Sequence, residues 1–460
     1  MLFNSIHFII FLPIVFFIYI SIPQRFRAIF FLLASYYFYM SWEPAYIILI
    51  LMSTIVDFYC GKKIGSTNLL EKKKFYLICS LLLNLGLLFT FKYYNFFSNS
   101  YHHLFGIGEN KYLLNVLLPV GISFYTFQTL SYTIEIYLGN QKPENNFINF
   151  AIYVSYFPQL VAGPIERPQN LLKQIRQKFN FNFSNLQNGF RMMLWGIFKK
   201  VVIADNVASY ADAVFNNTSN HTSASLLIGL YLFCIQIYCD FSGYSDIAIG
   251  VSRLFNIELT KNFKTPYFAK NVPEYWNRWH ISLSTWFKDY LYIPLGGNRK
   301  GKYKMYLALF LTFFTSGLWH GANYTYVFWG SLHGVLVVLT KMLKKPLPLP
   351  NFIKIMANFN IIAFAFIYFR ADSISNANKY LLRIFDGDWT SIFALDLLAN
   401  YILFIIPFII IEYFMKFDSF AEFCSKIKNN FLRKSLYILL LFYIINMGVF
   451  YGKSFIYFQF

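Results

Sequence analysis

Long apolar runs, separated by short polar or basic loops, repeat along the whole chain. Most of them approach the roughly 20 apolar residues with which a helix crosses a bilayer. The pattern predicts spans over residues 6–22, 28–42, 45–59, 75–91, 113–138, 190–215, 226–255, 306–319, 324–341, 352–369, 401–415 and 436–450. We therefore expect an all-α integral membrane protein with about eleven to twelve transmembrane helices, which form one domain over residues 1–460.

Two stretches depart from simple spans. Residues 113–138 contain Pro119 and Gly121, which predict a kinked helix. Irregular backbone at membrane depth is tolerated where it lines a cavity. The apolar run at 147–161 is short, and basic residues follow it at 167–178. Residues 147–164 are therefore expected to enter and leave the membrane on the same side, as a re-entrant segment.

Charge orients these spans. Lysine and arginine lie mainly in alternate loops, at residues 24–27, 61–74, 167–178, 256–304, 341–354 and 416–434. Because cytoplasmic loops carry the excess of positive charge, these loops are expected inside and both termini outside. The arrangement explains most of the net charge of +19. A basic inner face also suits an anionic cofactor, whereas no nucleic-acid motif is visible.

Composition supports the membrane assignment and limits the chemistry. Only 13% of the residues are charged, against about 25% in a soluble domain, and the mean hydropathy is +0.45. The five cysteines are scattered without a CxxC pair. Neither a disulfide framework nor a metal site is predicted.

His320 is the first candidate for chemistry. The apolar run from Tyr306 to Trp319 has 14 residues, which is about 21 Å of helix. A bilayer core is about 30 Å thick, so a run that starts near one face brings His320 to a position inside the membrane. A titratable side chain at that depth indicates a functional site.

A second polar cluster precedes it, in the sequence WNRWH at residues 276–280. Trp276 and Arg278 are typical of an interfacial anchor at the headgroups. That interpretation accounts poorly for Asn277 and His280, so an anchor and a functional contact are about equally supported by these residues alone.

Other polar residues in apolar surroundings have structural explanations. Asp240 and Asp246 could serve acid–base chemistry, but hydrogen bonds to neighbouring helices or pairing with Arg253 explain them better. His333 is expected on a different helix from His320, in a packing role.

Three sequence motifs resemble those of a known family. They are PQLVAGPIERP at 158–168, WNRWHISLSTWFKDYLYIPLGG at 276–297 and SGLWHGANYTYVFWGSLHG at 316–334. Together they resemble the membrane-bound O-acyltransferase (MBOAT) family, in the branch that O-acetylates bacterial polysaccharides such as alginate and peptidoglycan. The resemblance implies a ring of helices around a central tunnel, in the bacterial cytoplasmic (inner) membrane.

The resemblance also implies the chemistry. Acetyl-CoA from the cytosol is the expected acyl donor, and His320 and His280 are expected catalytic residues. His280 is expected to shape the tunnel or to polarise the carbonyl. Contacts to the donor are expected from the residues around the two histidines, namely Trp276, Asn277, Arg278 and Trp319. An extracytoplasmic SGNH-type, esterase-like transferase is the expected partner, and a cell-envelope polysaccharide the final acceptor.

The chain ends with the aromatic sequence FIYFQF, within an outside tail at residues 452–460. Composition alone favours an interfacial aromatic belt. The resemblance instead implies that Tyr457 receives the acetyl group and passes it on. A docking role for the tail, with direct transfer to the acceptor, stays open.

Several functions remain possible at this stage. Within the family, D-alanyl or other acyl transfer is an alternative, and peptidoglycan is slightly preferred over alginate as the acceptor. Outside it, a multipass transporter of a lipid-linked sugar would predict internal symmetry between halves, which is not visible. A non-catalytic assembly subunit would tolerate loss of His320.

Overall fold

A computed structural model describes residues 1–107, 110, 112–343, 348–387, 389, 392–416, 418–450 and 455–456, with the backbone alone for 392–400. All regular elements in these ranges are helical. This confirms the all-α prediction.

The chain divides into two compact units, which we describe separately. Unit 1 comprises Met1–Met193 and Ile247–Thr260, and unit 2 comprises Leu194–Asp246 and Lys261–Phe460. That all 460 residues form one domain stays a prediction.

The helices of unit 1 follow the first apolar runs. They are α1 (Ile6–Ser21), α2 (Gln24–Met40), α3 (Ile47–Ser66), α4 (Leu70–Leu88), α5 (Tyr94–Leu104), α6 (Ile122–Tyr137), α7 (Phe147–Ser155) and α8 (Pro168–Ile175). Helix α9 (Phe183–Ile197) begins in unit 1 and ends in unit 2.

Unit 2 contains the remaining helices. They are α10 (Asp205–Asn216), α11 (Ser223–Leu254, whose end belongs to unit 1), α12 (Val272–Trp276), α13 (Ile281–Phe287), α14 (Lys302–His320), α15 (Tyr324–Met342), α16 (Asn351–Arg370), α17 (Ile374–Phe385), α18 (Ile392–Met415), α19 (Phe420–Lys426) and α20 (Asn430–Met447). The π-helical segments Phe89–Tyr93, Phe198–Ala204 and Lys288–Tyr292 continue α4, α9 and α13.

A few of the helices are long and apolar enough to cross a membrane. In the described part of the chain, four helical stretches are long and apolar enough to cross a bilayer: Pro44–Ser66, Leu70–Leu104, Ser223–Leu254 and Asn351–Arg370. Ile6–Ser21 and Tyr401–Met415 are shorter apolar helices. The protein is thus an all-helical integral membrane protein, while the total of eleven to twelve spans stays a prediction.

Three sequence predictions need correction. The predicted span at 113–138 is helical only from Ile122, because Gly121 adopts a left-handed conformation with φ of 76° that begins the helix there. The connections between predicted spans at 93–111 and 370–399 are also partly helical, since the first contains α5 and the second contains α17. Helix α7 has nine residues, about 14 Å, which is too short to span a bilayer and is compatible with a re-entrant segment.

A buried polar network holds three helices of unit 1 together. Asp57 of α3 accepts hydrogen bonds from Ser80 Oγ at 2.5 Å and from Asn84 Nδ2 at 2.8 Å, both on α4. Ser80 Oγ also lies 3.0 Å from Thr133 Oγ1 on α6. Burying a carboxylate is unfavourable unless it is hydrogen-bonded, so this network fixes the mutual register of the helices.

In unit 2, glycines allow α14 and α15 to pack closely. A Cβ added at Gly317 would lie 2.3 Å from the carbonyl oxygen of Tyr326, and one added at Gly330 would lie 2.5 Å from that of Phe313. Small residues at such contacts are typical of helix pairs in membranes. The close approach matters for function, because His320 ends α14.

We predict that Gly317→Ala and Gly330→Ala each destabilise the protein by about 1–3 kcal/mol, because the added methyl group meets backbone atoms that cannot move aside. The measurement is the temperature at which detergent-solubilised protein loses its monodisperse size-exclusion peak. Gly86→Ala in α4 is the matched control, since nothing lies within 4 Å of the added Cβ there. Equal stability of all three variants would show that the close approach is not required.

Candidate active site

His320 is the last residue of α14 and is only 3% exposed. Its ring lies among three aromatic side chains. The centroid distances are 5.1 Å to Trp319, 5.2 Å to Trp329 on α15 and 5.5 Å to Phe369 on α16. Three helices of unit 2 thus form an aromatic surround for this histidine.

The turn after His320 places this histidine against the beginning of α15. Gly321 has no space for a side chain, because an added Cβ would lie 2.2 Å from the Tyr326 ring. Asn323 then caps α15, with its side-chain oxygen accepting from the N–H of Thr325 at 3.1 Å. The tight turn brings the end of α14 against the beginning of α15.

His280 lies between α12 and α13 and is fully buried. Its φ of 45° is in the left-handed region, which non-glycine residues rarely adopt and which clusters at functional sites. Its Nδ1 lies 3.3 Å from Asn262 Oδ1. That oxygen also accepts from the N–H and the hydroxyl of Ser282, at 3.1 and 2.8 Å.

These contacts define the protonation of His280. Because Asn262 Oδ1 is an acceptor, we assign the ring proton to Nδ1, which leaves Nε2 as an acceptor. Burial lowers the pKa of His280 to about 3. The ring is therefore neutral at pH 7.

Trp319 joins the two histidines. Its ring centroid lies 6.1 Å from that of His280 and 5.1 Å from that of His320. Trp276 lies further from the site: it donates from Nε1 to His333 Nδ1 at 3.3 Å, and Trp329 separates it from His320. The structure thus brings together three of the predicted site residues, His280, Trp319 and His320, and places Trp276 one ring further away.

Asn277 and Arg278 have different surroundings. Asn277 is the C-terminal cap of α12 and is exposed. Arg278 forms an ion pair with Glu274 and donates to the carbonyl of Thr265 at 3.4 Å. Contact of either residue with an acyl donor stays a prediction.

Sequence reasoning missed two buried lysines in the π-helical segment Phe198–Ala204. Lys199 Nζ lies 2.6 Å from Asp246 Oδ2, and Lys200 Nζ lies 2.6 Å from Asp240 Oδ1 and 2.8 Å from Asp205 Oδ1. Both aspartates therefore form ion pairs with lysines, whereas hydrogen bonds to neighbouring helices or pairing with Arg253 were expected from the sequence. Adjacent lysines inside a predicted span at 190–215 were the available signal, because such charges are expensive unless paired.

The end of the chain approaches this lysine cluster. Tyr457 itself lies outside the described residues. Phe455 and Ile456 are described, and both are buried. The N–H of Ile456 donates to Asp240 Oδ2 at 2.6 Å, and the Phe455 ring lies 5.7 Å from that of Phe241.

Comparisons with known proteins agree with the motifs. The sequence model described as MBOAT, membrane-bound O-acyltransferase family, matches residues 140–375. The chain is 38% identical to a probable alginate O-acetylase AlgI of Pseudomonas putida over 393 residues, which are 84% of this chain and 80% of that protein. It is 35% identical to a peptidoglycan O-acetyltransferase of Helicobacter pylori over 418 residues, 83% of this chain and 79% of that protein.

A more distant relative has another acyl group in its name. A teichoic acid D-alanyltransferase of Bacillus subtilis is 28% identical over 273 residues, which are 55% of this chain and 69% of that protein. Taken with the helical membrane architecture and the buried histidine at the end of α14, these matches identify the chain as an O-acyltransferase that belongs to the membrane-bound O-acyltransferase family.

Proposed function

We propose that the protein transfers acetyl groups from cytosolic acetyl-CoA across the membrane for O-acetylation of a cell-envelope polysaccharide. The relatives support a polymer of the cell envelope as the acceptor, because they carry alginate, peptidoglycan and teichoic acid in their names. Both termini lie outside the bacterial cytoplasmic membrane in this proposal. The final transfer is made there by a separate SGNH-type partner.

In this mechanism neutral His320 acts as the general base for Tyr457. A phenol has a pKa of about 10 and is a weak nucleophile at neutral pH unless a base removes its proton. As the proton moves to His320, the Tyr457 oxygen bonds to the thioester carbonyl carbon and the carbon–sulfur bond breaks. His320 then returns the proton to the departing thiolate.

The second half of the reaction restores the tyrosine. A hydroxyl of the partner or of the sugar attacks the acetyl-Tyr457 ester, and the phenol is released with the proton of that hydroxyl. His280 contributes shape and an acceptor at Nε2 rather than polarising the carbonyl, since its single ring proton is directed to Asn262. Trp319 forms the wall that the two histidines share.

One observation carries the proposal. The backbone N–H of Ile456, the residue before Tyr457, is bound to Asp240. From Phe455, successive ring contacts lead through Phe241 and His280 to Trp319, which contacts His320. Their centroid separations are between 4.6 and 6.1 Å. This arrangement supports delivery of the tail to the buried histidine.

His320→Ala is expected to lower acetyl transfer by roughly 10²- to 10⁴-fold, the usual contribution of a positioned general base. Transfer is measured in membranes as release of coenzyme A from acetyl-CoA in the presence of the partner protein. His103→Ala is the control, because His103 is exposed on α5. Undiminished release by His320→Ala at equal protein levels would remove this histidine from the chemistry.

Tyr457→Phe is expected to abolish covalent acetylation of the protein, because the phenolic oxygen is the proposed carrier. The measurement is intact mass and peptide mapping after incubation with labelled acetyl-CoA and no partner. Wild type should gain one acetyl group on Tyr457, and His320→Ala should gain none. Coenzyme A release without any label on wild type, once the partner is added, would indicate direct transfer and a docking role for the tail.

The acyl group can be tested separately from the relay. Wild-type membranes supplied with a D-alanyl-loaded carrier protein in place of acetyl-CoA should leave Tyr457 unmodified. Label from the D-alanyl donor alone would assign the chain to the other acyl chemistry represented among its relatives.

A further inference from the structure

We infer that Asp240 and the π-helical segment Phe198–Ala204 form a receptor for the C-terminal segment of the same chain, and that Asp240 is a positioning residue for the backbone that precedes Tyr457. In this inference Asp240 has a second role besides its ion pair with Lys200: it binds the backbone near the end of the chain. The consequence for catalysis rests on the proposed function, whereas docking of the tail can be tested without it.

The cluster contains more carboxylates than ammonium groups. Lys199 and Lys200 supply two ammonium groups, while Asp205, Asp240 and Asp246 supply three carboxylates. All except Asp246, which is partly exposed, are buried. Buried carboxylate oxygens are unfavourable without hydrogen-bond donors.

The tail supplies such a donor. Lys200 occupies one oxygen of Asp240, at 2.6 Å, and the N–H of Ile456 occupies the other, also at 2.6 Å. A hydrogen bond from a backbone N–H to an ionised carboxylate is among the stronger ones in proteins. Asp240 therefore connects a fixed lysine to the end of the chain.

The π-helical segment holds the chain a few residues earlier. The N–H of Val449 donates to the carbonyl of Val201 at 3.0 Å. Asn206 Nδ2 bridges the carbonyls of Val202, at 2.9 Å, and Met447, at 2.8 Å. Single π-helical turns within α-helices often mark functional sites. Here the carbonyl of Val201 accepts directly from Val449, just after α20 ends, and Asn206 links the carbonyl of Val202 to that of Met447.

Aromatic packing completes the receptor. Phe455 is 2% exposed, and its ring lies 5.1 Å from that of Tyr244 and 5.7 Å from that of Phe241. Phe241 in turn meets His280 edge to face at 4.6 Å. The aspartate and both rings belong to α11, so one helix fixes Ile456 and Phe455 and also contacts the candidate active site.

The variant Asp240→Asn tests whether Asp240 holds the backbone of Ile456 in addition to pairing with Lys200. Asparagine has the same shape but only one acceptor oxygen, and both Lys200 and the N–H of Ile456 require an acceptor. We expect the amide of Ile456 to exchange with deuterium at least about tenfold faster in this variant, which corresponds to loss of about 1.4 kcal/mol of local stability. The measurement is hydrogen exchange with mass spectrometry on the full chain in nanodiscs.

Two controls make the result specific. The amide of Val449 is bound to a backbone carbonyl, so its protection should not change in Asp240→Asn and reports an intact fold. Asp246→Asn removes the carboxylate partner of Lys199 from the same helix and should leave Ile456 exchange within about twofold of wild type. Unchanged Ile456 exchange in Asp240→Asn, or equal acceleration in both variants, would overturn the receptor.

The catalytic consequence has its own readout. If Asp240 positions Tyr457, Asp240→Asn should slow acetyl labelling of Tyr457 by about tenfold to a hundredfold, with the KM for acetyl-CoA unchanged. A raised KM with an unchanged maximal rate would contradict positioning. If wild type carries no label at all, the proposed relay fails, while the exchange experiment still decides whether the tail docks on Asp240.

Discussion

The burial of charge in an apolar interior is the constraint on which unit 2 depends. An unpaired ammonium or carboxylate in such surroundings is strongly unfavourable, and removing one partner of a buried pair typically costs about 3–5 kcal/mol. Lys200 is therefore held between Asp205 at the start of α10 and Asp240 on α11. Because Asp240 also accepts a hydrogen bond from the backbone of Ile456, the same aspartate links the charge cluster to that residue.

The candidate active site depends on the opposite kind of surroundings. His320 and His280 are buried against tryptophan and phenylalanine rings, and burial keeps the ring of His280 neutral by lowering its pKa. The polar groups nearby serve mainly to orient side chains, as Asn262 does for His280. Charge is thus concentrated in the lysine cluster, whereas the two histidines lie among aromatic rings, and Phe241 contacts both His280 and Phe455.

The sequence predicts well what depends on local pattern. Apolar runs gave the helical class and most helix positions, and the motif residues Trp276, His280, Trp319 and His320 do come together in unit 2. Pairing between distant residues leaves no periodic signal, so the lysine partners of Asp240 and Asp246 could not be predicted. The irregular residues before Ile122 were missed because an apolar composition does not distinguish a helix from an extended segment.

In the proposed relay, an acceptor tyrosine carried on the same chain as the histidine base changes the energetics of the first transfer. A tethered tyrosine would be presented at a high effective concentration, so the reaction would avoid the loss of translational freedom that a separate acceptor incurs. The tether must also let the acetyl group leave toward the outside. A receptor built from one charge-assisted hydrogen bond and a few ring contacts would meet both needs, because the tail could leave Asp240 without unfolding α11. In that relay, the strength of the Asp240 contact would set the balance between loading the tyrosine and releasing it to the partner.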